Sequence, residues 1–262
     1  MPEPDLQDVR YERDGSVARV TIDRPERRNA MSFAVMRSLR DAFAHARSDP
    51  GVRVVVLTGA GDRAFCAGAD LGGIADASAS EAHDARGLLP ELFRELWELG
   101  KPTIARVRGY ALAGGFGLAL ACDLVVASDD AVFGTPEIDV GLWPYMISVP
   151  LLRALSPKQA LELMMTGRRV DAEEGARLGF VNRVVPVPEL DATVDELAST
   201  LAAKSPLIMR WGRDSFYRVL DMTSGDALAY LQSMLTITSH SEDAAEGVAA
   251  FAEKRAPKWT GR

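Results

Sequence analysis

The sequence predicts an α/β fold with a helical C-terminal part, and three observations carry that expectation. Between Val9 and about Gly134, short β-branched runs alternate with stretches of helical apolar periodicity. Beyond about Ser156 the strand pattern fades and the apolar spacing becomes helical. Two glycine-bearing stretches, residues 64 to 71 and 111 to 120, each follow a strand-like run and open toward a helix-like one. At 262 residues with 47% apolar side chains, the chain can bury one large core or two small ones.

Taken in order, "SVARVTID" (16 to 23) reads as a strand and "MSFAVMRSLRDAFAHARSD" (31 to 49) as an amphipathic helix. A buried strand follows at "VRVVVLTG" (52 to 59), then a helix at "PELFRELWELG" (90 to 100) and strands at "PTIARVRG" (102 to 109) and within "DLVVASDDAVFG" (123 to 134). In the tail, "PKQALELMMTG", "AEEGARLG", "PELDATVDELASTLAAKSP" and "ALAYLQSMLTITSH" are helical, with "GFVNRVVP" a last strand. Pro157 after Ser156, and Pro206 after Ser205, mark boundaries: proline lacks an N–H and suits a first helical turn, while serine caps. Residues 74 to 87, "IADASASEAHDARG", read as the most loop-like segment. The division expected is a core over residues 1–195 and a helical oligomerisation region over 196–262.

Composition excludes several classes. The formal net charge of -7 argues against a nucleic-acid surface, which needs clustered cations. The basic stretch "TGRRVDAEEGARLGFVNR" alternates with acids and reads as a solvated face, although local Arg or Lys could still meet the phosphates of a small ligand. No run reaches the roughly 18 apolar residues of a membrane span, and the start "MPEPDLQDVRYERDG" is unlike a signal peptide, so the cytoplasm is the expected location. Cys66 and Cys122 lack metal-ligand spacing and read as small buried side chains, and His45, His83 and His240 read as surface residues. No metal and no redox cofactor are expected.

The pattern Gly59-x-Gly61-x-x-Ala64 after a strand imitates a dinucleotide fingerprint. That fingerprint needs a helix to open at its end and meet the pyrophosphate. Here "FCAGADLGGI" follows, with further glycines, so a turn into irregular backbone is the better reading.

"AFCAGADL" (64 to 71) and "ALAGGFGLAL" (111 to 120) both present glycine-adjacent backbone near a helix start. Early helical N–H groups have no intrahelical acceptor and lie at the positive end of the dipole. Two of them converging on one point would polarise a carbonyl and stabilise an enolate, each donor contributing about 3 to 4 kcal/mol in the transition state. Taken singly, either segment could equally be a site of tight helix packing.

Together and in order, "VTIDRPERRNAMS", "VVVLTGAGDRAFCAGADL", "KPTIARVRGYALAGGFGLALACDLVVASDDAVFGTPEIDVGL", "LMMTGRRVDAEEGARLGFVNRVVP" and "FAEKR" resemble the crotonase superfamily, the enoyl-CoA hydratase/isomerase family, over nearly the whole chain. The resemblance implies a spiral of ββα turns with a C-terminal helical region forming homotrimers, usually stacked as homohexamers, and an acyl-CoA thioester as substrate. It places the oxyanion hole on the N–H groups of Ala69 and Gly114 and the acid/base on Glu137 in "TPEIDVGL". CoA would be held around Arg28, Asn29 and Ala30, along Ala67 and Gly68 to Asp70 and Leu71, and at Gly115. Trp143 and Met146 would shape the acyl pocket, and Phe251 and Lys254 would close over CoA, from a neighbouring subunit or the same one.

One position departs from the pattern. Hydratases of the family carry a second glutamate where this chain has Gly117, and glycine can neither orient water nor accept a proton. A lone Glu137 resembles the family's enoyl-CoA isomerases, in which one carboxylate takes a proton and returns it two carbons along. That reading is preferred. A hydratase in which the Tyr145 hydroxyl replaces the missing group is the runner-up, with Tyr145 as a pocket wall its alternative role. A thioester hydrolase is more distant. A CoA-binding protein without turnover is disfavoured because a carboxylate in an apolar pocket is costly unless used or paired. Asp139 is the weaker second acid, and Asp70 and Asp123 read as caps or ion-pair partners.

Overall fold

The computed structural model describes residues 4, 6–70 and 79–262, so Leu71 lies outside the described residues. In chain order come β1 (Val9–Asp14), β2 (Val17–Ile22), α1 (Phe33–Ser48), β3 (Val54–Gly59), β4 (Ala64–Cys66), α2 (Ala79–Arg86) and α3 (Leu88–Trp97). Next are β5 (Thr103–Val107), β6 (Tyr110–Leu112), α4 (Gly114–Ala121), β7 (Leu124–Ser128), β8 (Val132–Gly134) and a 3₁₀ turn at Pro136–Val140. The remainder is α5 (Ser148–Ala154), α6 (Pro157–Thr166), β9 (Arg169–Asp171), α7 (Ala172–Leu178), β10 (Arg183–Val185), α8 (Leu190–Ala202), α9 (Pro206–Val219), α10 (Ser224–Ser239) and α11 (Glu242–Glu253).

Two sheets organise these elements. The larger has the order β1-β2-β3-β5-β7-β10 and is parallel except for the β1–β2 hairpin. The smaller has the order β4-β6-β8-β9, with only β9 antiparallel. Alternation along the parallel strands feeds two cores. Val55, Leu57, Ala105, Val107, Val125 and Ala127 point into the main core with α1, α3 and α4, whereas Val54, Val56, Ile104 and Val126 point the other way onto Leu190, Val194 and Ala198 of α8.

Several sequence expectations meet their structural counterparts here. Ser156 caps α6 in a reciprocal capping box with Gln159, and Ser205 caps α9 ahead of Pro206. The Gly59 stretch leads into a turn and then β4, with no helix to receive a pyrophosphate. Cys66 and Cys122 are buried, and burial pushes the Cys66 thiol up to about 12. One expectation changes. Within the loop-like segment, residues 79 to 86 form α2. Position 195 lies within α8, whose Leu190, Val194 and Ala198 pack on the main sheet.

A largely buried cluster helps join the tail to the core. Arg213 of α9 donates to Asp123 (2.8 Å) and to the carbonyls of Trp97 (2.7 Å) and Leu96, while Tyr217 Oη donates to Asp123 at 2.6 Å. Asp123 also accepts from the N–H and hydroxyl of Thr103. The ion-pair role expected of Asp123 is the one observed. Beyond that tether, α9 to α11 leave large apolar side chains exposed, among them Leu228, Leu235, Val248 and Phe251. No described helix is long and apolar enough to cross a membrane.

Candidate active site

The two glycine segments lie side by side where the small sheet meets α4. The Met31 N–H donates to Gly68 O, and Met31 O accepts from the Asp70 N–H, a one-residue parallel bridge centred on Ala69. In such a bridge the flanking residues make the bonds, so the N–H of Ala69 is turned to the opposite side. Gly68 has φ +107°, and a Cβ there would lie 2.8 Å from Ala113 Cβ and 3.7 Å from Gly114 N. Only glycine permits that approach.

Gly114 opens α4, so its N–H has no intrahelical acceptor and sits at the positive helix end. Ala113 precedes it with φ +51°, a strained conformation for a residue with a Cβ, held by its own N–H bonding to Gly134 O at 2.9 Å. A Cβ on Gly115 would fall 2.2 Å from Cys66 O, so α4 rests directly on β4. Close glycine packing and N–H presentation are therefore the same feature of the structure, where the sequence had left them as alternatives.

Pairing of β6 with β8 sets Leu112 opposite Gly134, and the 3₁₀ turn carrying Glu137 begins two residues further on. Glu137 is half-buried, and its Oε2 is buried with no hydrogen-bond partner among the described residues. Burial raises its pKa above the usual carboxylate range, more than its own backbone N–H and the charge of Arg169 lower it. A carboxylate that is partly buried, unpaired and raised in this way is suited to take a proton from a carbon acid.

Gly117 lies one turn into α4 and is buried. A Cβ there would sit 2.6 Å from Ile147 Cγ2 and 2.9 Å from Phe93 Cζ, both side chains being buried. The volume beside position 117 is already filled by an apolar plug. Gly117→Glu is accordingly expected to lower stability: overpacking alone costs about 1–3 kcal/mol, and an unpaired buried carboxylate adds to it. Thermal unfolding should show a fall of at least about 5 °C. An unchanged melting temperature would mean that the plug yields easily.

The other expected residues divide by environment. Arg28 is exposed with φ +51°, and its carbonyl accepts from the Ala67 N–H, so these two CoA-assigned segments are joined. Ala30 O accepts from Arg24 Nη1. Asn29 is fully buried, and its side-chain amide donates to Ala60 O and Ala64 O and accepts from the Arg24 N–H, so it brackets the loop. Asp70 is held by Arg24 at 3.2 Å, the ion-pair role also foreseen for it.

Trp143 is half-buried against the core, whereas Met146 is exposed and Tyr145 is 75% exposed. Phe251 and Lys254 sit at the end of α11, which packs on α9 and α10. Sequence reading missed Arg24, Phe93 and Ile147. Arg24 stood inside a quoted motif and could have been found, but nothing in the sequence marks Ile147 as the partner of Gly117. Among the described residues no cluster of His, Cys, Asp and Glu could hold a metal ion.

The arrangement of β-strands and helices in two sheets with a helical tail is that of the crotonase-fold enzymes. The sequence model described as Enoyl-CoA hydratase/isomerase matches residues 12–262, and the chain belongs to that family, whose members act on acyl-CoA thioesters. Carnitinyl-CoA dehydratase of Proteus mirabilis is 40% identical over 253 residues, 95% of this chain and 96% of the relative. That of Escherichia coli is 41% identical over 255 residues, 95% and 97% of the two chains. Among solved structures, an enoyl-CoA hydratase of Mycobacterium smegmatis superimposes with a TM-score of 0.93 at 36% identity, covering 97% of this chain and 99% of that one.

Proposed function

We propose that the protein moves the double bond of an enoyl-CoA thioester, with Glu137 as the single acid/base and the N–H groups of Ala69 and Gly114 as the oxyanion hole. The observation that carries this reading is the plug at Gly117: Ile147 and Phe93 occupy the space a second carboxylate and its water would need. In a 3-enoyl thioester, Glu137 takes the α-proton and the electrons of that C–H bond pass into a dienolate, whose oxygen the two N–H groups stabilise. The protonated Glu137 then delivers the same proton to the γ-carbon, the double bond becomes α,β and the thioester carbonyl is restored. Atoms and charge balance within the one substrate, and the carboxylate returns to its starting state.

The dehydratase names of the relatives favour a second reading, in which Glu137 takes the α-proton and returns it to a departing β-hydroxyl. Assays on parallel panels of 3-enoyl-CoA and 2-enoyl-CoA separate the two. Conjugation without 3-hydroxyacyl-CoA is expected. Hydration of 2-enoyl-CoA at a comparable rate would overturn the isomerase assignment and establish the second reading.

The exposed apolar side chains of α10 and α11 support assembly as a homotrimer or a homohexamer, with Phe251 and Lys254 reaching a neighbouring copy's CoA. Light scattering on the purified protein should give three or six times the 28.3 kDa chain mass, and a monomer at micromolar concentration would contradict it.

A further inference from the structure

The thioester segments follow the C-terminal ends of β3 and β5. At the opposite ends of the same parallel strands, where Arg53 precedes β3 and Lys101-Pro102 precedes β5, lies a cleft of ≈ 470 Å³. Arg47, Arg53, Lys101, Lys204 and Arg210 line it, and no carboxylate does. In a chain of net charge -7, five cations gathered on one cleft run against the overall balance.

The neighbouring acids are engaged elsewhere. Asp49 pairs with Arg13 at 2.9 Å and accepts from the Gly51 N–H. Asp243 is buried, accepting from Ser205, Thr260 and Gly261. Among the described residues, none of the five cations has a carboxylate oxygen within 4.0 Å, although Asp49 acts on Lys101 and Asp243 on Arg53 at longer range. Asp214 likewise faces Arg47 and Arg210 from a distance.

Several of these groups are fixed in place. Lys101 Nζ donates to the carbonyls of Ala46 and Asp49, and Arg53 Nη2 to the carbonyl of Lys204. The stem of Arg210 lies against Gly100. Like charges held together without a counter-ion repel, and burial with the nearby Arg13 and Arg53 outweighs Asp49 to bring the Lys101 ammonium down to about 8. Binding an anion would relieve that repulsion.

We propose that this cleft is a second ligand site, remote from the thioester chemistry, that binds a phosphoanhydride-bearing nucleotide. Guanidinium forks and ammonium groups match phosphoryl oxygens. Pro50, Val52, Pro102 and Leu207 provide an apolar floor and Trp259 a flat aromatic edge, which suits a nucleobase and leaves bare pyrophosphate with less to touch. The cleft is too small and the rest of the chain too acidic for a nucleic-acid strand. Two sources share this chemistry: a nucleoside triphosphate and the 3′-phospho-ADP end of a second CoA.

Calorimetric titration of the full-length protein with ATP, CoA, AMP and pyrophosphate tests the site. Saturable binding of ATP or CoA is expected, stronger than that of AMP or pyrophosphate, weakening with added salt, and reduced at least about tenfold in an Arg47→Gln/Lys204→Gln/Arg210→Gln variant. The single variants, each expected to lose about threefold, give the same reading if the triple variant does not fold. The tighter of ATP and CoA identifies the source. Because CoA also fits the proposed thioester site, only the CoA binding that the cleft variants weaken is assigned to the cleft. Absence of saturable binding by both ATP and CoA, or unchanged affinity in the variants, would each overturn the proposal.

Discussion

In the Glu137→Gln protein, exchange of substrate α-hydrogens with solvent and double-bond migration are expected to fall by about 10²- to 10⁴-fold, while thioester binding survives. The amide keeps the size of the side chain but cannot accept the proton, and the N–H groups of Ala69 and Gly114 that polarise the carbonyl are backbone and unaffected. Exchange followed by NMR in deuterated water reads the step directly. Undiminished exchange would remove Glu137 from the mechanism.

The same residue sets a pH dependence of definite sign. Desolvation raises the Glu137 pKa, and the base must be ionised, so kcat/KM should decline on acidification from a pH above the ordinary carboxylate range. For folding, a raised native pKa means that the group contributes stability at pH values below its unfolded pKa. That contribution is lost as pH rises through the folded pKa. Glu137→Gln should therefore be the more stable form at neutral pH, with its advantage shrinking in acid. Denaturant titrations at two pH values check this against the activity loss.

Removing one partner of the Arg213–Asp123 pair is expected to destabilise the fold by about 3–5 kcal/mol. Arg213 and Asp123 are almost wholly enclosed, and Asp123 alone accepts from Arg213, Tyr217 and Thr103. Asp123→Ala strands a buried guanidinium against the Leu96 and Trp97 carbonyls, and Arg213→Ala strands a carboxylate that, after burial, already helps push the Tyr217 hydroxyl up. The double variant should lose less than the sum of the two, with a coupling of about 0.5–3 kcal/mol in urea unfolding. Strict additivity would show that the two groups act independently.

Much of this architecture was legible in the sequence because periodic burial and capping are local. The continuous apolar run of β3 and the Ser156–Gln159 box are examples. β1 was not: Val9–Asp14 alternates charged residues at a sheet edge, where polar side chains protect the unpaired side. α2 escaped because its alanine- and acid-rich composition carries almost no apolar stripe. In the candidate site, Glu137 and the two glycine segments stand within motifs legible in the sequence, but side-chain direction is not legible there. Asn29 turns inward and Tyr145 outward, and Ile147 reaches Gly117 only through the packing of α5 on α4.

That packing has an evolutionary consequence. A glutamate cannot enter at position 117 while Ile147 and Phe93 stand as they do. Shrinking Ile147 first would leave a cavity costing about 2–5 kcal/mol for a change to alanine. Each single change is therefore expected to cost stability on its own, so overall identity to relatives is a poor guide to how readily a second carboxylate could be installed here.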